Sequence, residues 1–404
     1  MSDKKNPSRA RAMHALTSAA LAIPGLSAAG GTQAATVLTE TVVEYKASAY
    51  READLDSGKL GGGSAERYEI DSHQVSLRTP LGERTEGGVE VMVETMSGAS
   101  PWFILPGTEG QPVQVMSGAT ISEDRTDVQA SVGHLVTDSV MVSVSGGFSE
   151  ENDYFAVNGG VEVAVELDDK HLTLTGGLGF SDDELEPTNG RTMADRIISA
   201  EKDSTTGFVG LSRVLSPTTV VQGSLSYSEH NGFLSDPYKK FWVVDQSNTL
   251  NDARPTKREQ FTAQARLRHF LPEIKAALHA DYRYYDDDWE ITSHTFDFAW
   301  YQNLPNDWML VPSLRYYSQT QAFFYAPYFF SARADGFGSS DYRLSPYGAL
   351  SVRLRLEKHW DAFGFHAEWE HYEASADYSL DEVDVENPGL VEFDILSLGV
   401  DLDF

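Results

Sequence analysis

The sequence predicts an all-β protein, a transmembrane up-and-down antiparallel β-barrel of about sixteen strands, and three observations predict it. Apolar residues recur at every second position in segments of about ten residues, from residue 37 to the last. The connections between those segments alternate short and long. The chain ends VEFDILSLGVDLDF, where Leu396, Leu398, Val400, Leu402 and Phe404 alternate with Ser397, Gly399, Asp401 and Asp403. Such a strand has one face for apolar surroundings and one for water.

At the N-terminus, Lys4, Lys5, Arg9 and Arg11 precede the apolar stretch ALTSAALAIPGL and a run of small residues from Ser27 to Ala35. Charged region, short apolar region and small-residue exit read as a secretory signal peptide over 1–35, cleaved between about 28 and 35. The barrel is expected to occupy 36–404. Alternating segments follow in order: Val42 to Tyr50, Tyr68 to Leu77, Val89–Val93, Val128–Val132, Val140–Phe148, Val161–Leu167, Leu172–Phe180 and Gly207 to Val214. The second half continues with Val221–Tyr227, Phe261–Leu267, Leu278–Tyr284, Phe296–Trp300, Leu310–Tyr316, Leu344–Leu354, Phe363–Trp369 and the terminal strand. An even count places both termini on the periplasmic side. The short connections TPLGE, VTDS, LDDK, LSPTT, LPEI, LPND and KHWDAF carry the Pro, Asp, Asn and Gly of tight turns. Longer loops near 55–64, 98–118, 182–200, 231–257, 325–340 and 377–390 fall on the other side. A terminal strand closing on an aromatic residue resembles the signal read by the barrel-insertion machinery, and Phe404 is its candidate element.

Charge decides which face lines the lumen. A charged side chain facing mid-bilayer lipid costs about 2–4 kcal/mol, so charges opposite the apolar positions must point inward. In the second half these are basic: Arg266, Arg268, Arg283, Arg315, Arg343, Arg353 and Arg355. In the first half they are acidic: Glu90, Glu94, Asp127, Glu162 and Glu166. The expectation is an acidic wall facing a basic wall across the lumen, with Glu368, Glu370, Asp401 and Asp403 beside the basic one. Two functions fit: a porin-like channel for small hydrophilic solutes, or a filled, non-catalytic structural barrel.

Composition narrows the partners. With 41% hydrophobic residues and a mean hydropathy of −0.33, the chain has no need of a long apolar run if strands do the spanning. Its net charge of −30 excludes nucleic acid, whose phosphates it would repel. The absence of cysteine removes disulfides, thiolate metal sites and a lipid-anchor cysteine. No cofactor is expected, and the expected surroundings are outer-membrane lipid and lipopolysaccharide of a Gram-negative bacterium, with a homo-oligomer left open. The loop PWFILPGTEGQP has an apolar tip, Trp102, Phe103, Ile104 and Leu105, which must bury itself, as a candidate pore constriction, in the outer leaflet or against a partner. An enzyme is not expected. The polar groups Asp182, Asp183, Asp286, Asp287, Asp288, His230, Ser293 and His294 share one rim, but no H-E-x-x-H or nucleophile elbow is present.

The stretches NPSRARAMHALTSAALAIPGL, RYEIDSHQVSLRTPLG, ETMSGASPW, PVQVMSGATISEDRTDV, GLGFSDDELEPT, GFVGLSRVLSPTTVVQGSLSYSEHNGFLSDPYK and SSDYRLSPYGALS resemble an uncharacterised bacterial family of exported proteins, a domain of unknown function. The resemblance covers nearly the whole chain and implies an outer-membrane location without catalytic residues. It also implies periplasmic redox partners, from gene neighbourhoods holding a flavin-attaching enzyme and thioredoxin-like proteins. Lacking cysteine, the chain would be a sheath or conduit there.

Overall fold

In a computed structural model, which describes residues 37–118, 121–188, 190–191 and 193–404, sixteen antiparallel strands close into one barrel. The predicted leader over 1–35 lies outside the described residues. The first eight barrel strands are Val42–Glu52, Glu69–Pro80, Thr85–Gly98, Ile121–Thr137, Val140–Glu150, Tyr154–Leu167, Leu172–Leu185 and Ala200–Ser216. The next eight are Thr219–Gly232, Lys257–Leu271, Ala276–Asp287, Thr292–Asn303, Trp308–Gln319, Tyr347–His359, Phe363–Ser375 and Glu392–Asp403. Each pairs with its sequence neighbours, and the first pairs with the last from Val42↔Asp403 to Glu52↔Phe393. That seam leaves no free sheet edge. It runs one residue further, where Thr41 donates to the Phe404 carbonyl at 2.8 Å and Phe404 returns the bond at 3.0 Å.

The alternation becomes an inside and an outside. On the Tyr347–His359 strand Val352, Leu354 and Leu356 are exposed on the outer face, whereas Ser351 and Glu357 are buried. Leu225, Phe298, Leu314, Leu396 and Leu398 extend the outer apolar band around the circumference. A band of this kind is what a lipid-facing barrel presents.

One end of the barrel carries the seven tight turns and the chain end. The LDDK turn puts Asp168 at φ 54 and Asp169 at φ 50, and the LPND turn puts Asn306 at φ 60 and Asp307 at φ 57. Consecutive left-handed residues, three in LDDK with Lys170 at φ 69 and two in LPND, make the twist that joins adjacent strands, and Asp and Asn tolerate it. Pro312 sits inside a strand although it has no N–H to give. Around it the ladder to Thr292–Asn303 is interrupted between Ala299↔Ser313 and Gln302↔Leu310, while the ladder on its other side is intact.

The other end carries the long connections, except for tight links after Glu150 and Asp287. These loops pack into a cap with its own structure. Leu60–Gly62, Pro112–Met116 and Pro101–Pro106 form a three-stranded sheet, and Lys240–Val243 pairs with Asn248–Asn251. Trp289, Ile291, Ala322, Phe324, Tyr325 and Leu344 make a small core. The cap crosses the mouth. Lys239, after the ninth strand, donates to the carbonyl of Pro101, after the third, at 3.3 Å, and Tyr328, after the thirteenth, donates to the Gly110 carbonyl at 2.8 Å.

Candidate functional site

Six consecutive strands, Lys257–Leu271 through Phe363–Ser375, turn their inner faces into one cavity of about 520 Å³ inside the barrel. Arg266, Arg268, Arg283, Arg315 and Arg353 line it, with His279, Asp281, Asp297, Tyr301, Tyr317, Tyr347 and Tyr372. Five arginines against two aspartates give the lining a net charge of +3, inside a chain whose net charge is −30. Arg355, one step beyond Arg353 on the same face, pairs with Glu357 at 2.7 Å and is not part of the lining.

The strand register decides which arginines are compensated. Arg266 stands directly across from Asp281, which also takes the guanidinium of Arg268. Arg315 meets Asp297 at 2.6 Å, and Arg353 meets Glu370 at 3.1 Å with Glu368 at 3.9 Å. Each of these acids sits on the adjacent strand. Arg283 is the exception. Its cross-strand neighbours are the neutral Gln264 and Thr295, its Nε is buried without a hydrogen-bond partner, and no ion pair reaches it among the described residues. His279 Nε2 is likewise buried without a partner, its ring 4.2 Å from that of Tyr301.

Glu90 and Glu94 on the third strand, Asp127 on the fourth, and Glu162 and Glu166 on the sixth lie on the far side of the ring from this sector. Arg125, absent from the expected acidic wall, lies among them, 3.4 Å from Glu94, 3.8 Å from Asp127 and 3.6 Å from Glu151. Its signal was available, because it stands two residues before Asp127 and so shares its face. Glu166 pairs with Lys170 at 3.1 Å. Ion pairing is thus within each sector, and none of the pairs among the described residues joins the two sectors across the lumen.

Two expectations are corrected. Arg343 and Leu344 are not on a barrel strand. They lie in a short 3-10 helix, Tyr342–Leu344, because Pro346 delays the strand to Tyr347. Arg343 belongs instead to a buried ion cluster in the cap, where Asp341 accepts from Arg343 at 2.6 Å and from Arg254 at 2.9 Å, with Lys239 at 3.5 Å. Burial alone would raise the Asp341 pKa, yet Lys239, Arg343 and Arg254 together hold it well below the usual carboxylate range. The apolar tip is also in the cap. Trp102, Phe103, Ile104 and Leu105 belong to its three-stranded sheet, with Ile104 fully buried, and none of them lines the cavity.

The rim groups do not converge. Ser293 is buried facing inward, whereas His294 faces outward and shares a 2.8 Å hydrogen bond with the Tyr282 hydroxyl. Asp287 is committed to Arg258, to the Tyr285 hydroxyl and to the backbone N–H groups of Trp289 and Ile291. No group of three or more side chains able to hold a metal ion occurs among the described residues.

Among solved structures, a bacterial polysaccharide outer membrane secretin superposes with a TM-score of 0.49 at 8% identity, over 92% of this chain and 100% of that one. The siderophore receptor PirA from Pseudomonas aeruginosa gives 0.43 at 10% identity, over 85% of this chain and 57% of the receptor. The CymD monoaromatic hydrocarbon channel gives 0.40 at 10% identity, over 90% and 88%. None of the curated proteins matches the chain. Residues 13–386 match the family described as protein of unknown function, DUF3570, and the chain belongs to that family.

Proposed function

We propose that the protein is an outer-membrane channel for small hydrophilic solutes, with its termini in the periplasm and its loop cap acting as a filter on the outer side. The observation that carries this is the polar cavity of about 520 Å³ within the barrel. A barrel filled for rigidity alone has no use for such a space, and arginines and tyrosines around it offer a solute hydrogen bonds in place of water. The outer apolar band supports the membrane location, since an exposed apolar surface of that extent would not be stable in water. The mouth-spanning contacts support a narrow rather than a wide conductance.

Reconstitution into planar bilayers tests this. Discrete conductance steps are expected, small for a sixteen-stranded barrel and larger once the cap is loosened. Silence across voltages and salts, with the protein shown to be folded by its heat-dependent gel mobility, would leave the structural barrel as the function.

A further inference from the structure

The cavity contains a subsite that nothing in the barrel's own architecture requires. Of its arginines, Arg315 and Arg353 have a carboxylate at ion-pair distance, and Arg266 and Arg268 share Asp281. A guanidinium held against a carboxylate has its charge compensated within the barrel wall, so the four paired ones read as structural. Arg283 is set between Gln264 and Thr295 and has no such partner.

Its surroundings specify what would complement it. Arg283, Thr295 and Tyr317 form one row across three adjacent strands, Arg283↔Thr295 and Thr295↔Tyr317, and all three line the cavity. With strands about 4.8 Å apart, the Tyr317 backbone lies roughly 10 Å from that of Arg283, so the two side chains, on one face of the sheet, can both reach a six-membered ring bearing an acidic group. The Tyr317 and Tyr347 rings are 5.6 Å apart, and Tyr372 closes the same side of the cavity. Tyr372 is itself stacked on Phe393 at 4.5 Å and 10°, which fixes its plane. A fixed cation beside fixed aromatic faces in a polar cavity selects an anion with a flat apolar part.

We propose that Arg283, with Tyr317, Tyr347 and Tyr372, forms a binding subsite for small aromatic anions such as arenesulfonates and arylcarboxylates. As a statement of which solutes the channel prefers it rests on the channel proposal, but the subsite itself does not. Arg283 takes the anionic group, Thr295 offers its hydroxyl beside it, and the ring lies against the tyrosines. With Glu368 and Glu370 counted against Arg353, the five arginines keep a net charge of +1 over their four acidic partners, and that excess draws the anion in.

Isothermal titration calorimetry on the full barrel in detergent, with benzenesulfonate, methanesulfonate and benzyl alcohol as probes, separates the subsite from conduction. Benzenesulfonate is expected to bind more tightly than either of the others, and R283Q to weaken it by roughly tenfold. T295E supplies Arg283 with the cross-strand carboxylate that Arg315 already has, so it should abolish binding while the barrel stays heat-modifiable. This second variant decides the matter if R283Q fails to assemble. Benzenesulfonate affinity unchanged in an assembled R283Q or T295E would overturn the proposal, as would equal affinity for benzyl alcohol. Binding retained in a protein that shows no conductance would overturn the channel and leave the subsite standing.

Discussion

Replacing Asp341 with asparagine should open the cap without unfolding the barrel. The Asp341 carboxylate is fully buried and is shared by Arg254, Arg343 and Lys239. Two of the three cations have somewhere else to go. Arg254 keeps Asp252 at 2.7 Å, and Arg343 keeps Asp236 at 3.1 Å with its side chain more than half exposed. Lys239 does not: its side chain is only 9% exposed, and what remains for its Nζ is the Pro101 carbonyl at 3.3 Å and the face of the Tyr342 ring at 5.5 Å. The loss is therefore that of one buried cation left nearly alone, at the low end of the range for a broken buried pair, about 3 kcal/mol. At about 1.4 kcal/mol per decade, local opening of the cap becomes roughly a hundred times more frequent. Trypsin reads that opening, since Lys239, Lys240, Arg254 and Arg333 are all cap residues and cleavage follows the open population when reclosing is fast. Cleavage at these sites should accelerate by about that factor while the barrel core remains intact on a gel. An asparagine variant as resistant as the parent would refute the account of Asp341 as the hub of the cap.

The pH dependence of the same cluster follows from the depressed pKa of Asp341. A carboxyl held below its unfolded value stabilises fully above about pH 4 and loses that contribution only as pH falls through the lower folded value, so its share of cap protection should be constant from pH 8 to about 4. Hydrogen exchange of the cap amides checks this, and a loss of protection near pH 6 that D341N abolishes would contradict it. Deleting Phe404 removes the last rung of the seam, the pair of bonds with Thr41, along with the terminal aromatic. Export should continue while surface assembly falls, as measured by protease shaving of whole cells, and normal assembly would show that the terminus is an ordinary strand end. Changing Arg353 and Arg355 together to glutamate alters the inner charge by −4, with Arg353 on the cavity wall. The reversal potential in a potassium chloride gradient should move toward cations, and an assembled variant with unaltered selectivity would rule out a conducting lumen along this sector.

All sixteen strands were legible because a lipid-facing barrel imposes one rule on every strand, apolar at alternate positions, and a violation costs several kcal/mol. The turns were legible for a local reason as well: Asp168, Asp169 and Asn306 occupy left-handed positions that few other residues accept. In the Leu344–Leu354 segment, alternation does not carry across the proline. Pro346 ends the preceding loop, and Leu344 is apolar because it fills the cap core beside Trp289 and Phe324, not because it faces lipid. The cap was largely illegible. Asp341 gathers Lys239, Arg254 and Arg343 from two long loops, and no periodicity relates residues that meet only through loop packing. The same holds for the tip at Trp102–Leu105, whose apolar character announced burial but not the strands it would lie against.

The segregation of charge into acidic and basic sectors was visible in the sequence, but its electrostatic meaning depends on register. Residues directly across on adjacent strands stand about 5 Å apart, so an acid and a base placed there pair at once. Opposite walls of the ring are separated by several strand widths, and at physiological ionic strength fields decay over about 8 Å of water. Local pairing therefore removes most of the wall-against-wall field before it reaches the middle of the lumen. Asp281, Asp297 and Glu370 do this for Arg266, Arg268, Arg315 and Arg353, as Arg125 does in the opposite sense for Glu94 and Asp127. What a solute meets is the residue of that cancellation, concentrated where register withholds a partner. In the basic sector that place is Arg283, so selectivity should respond far more to this one side chain than to any of the paired arginines around it.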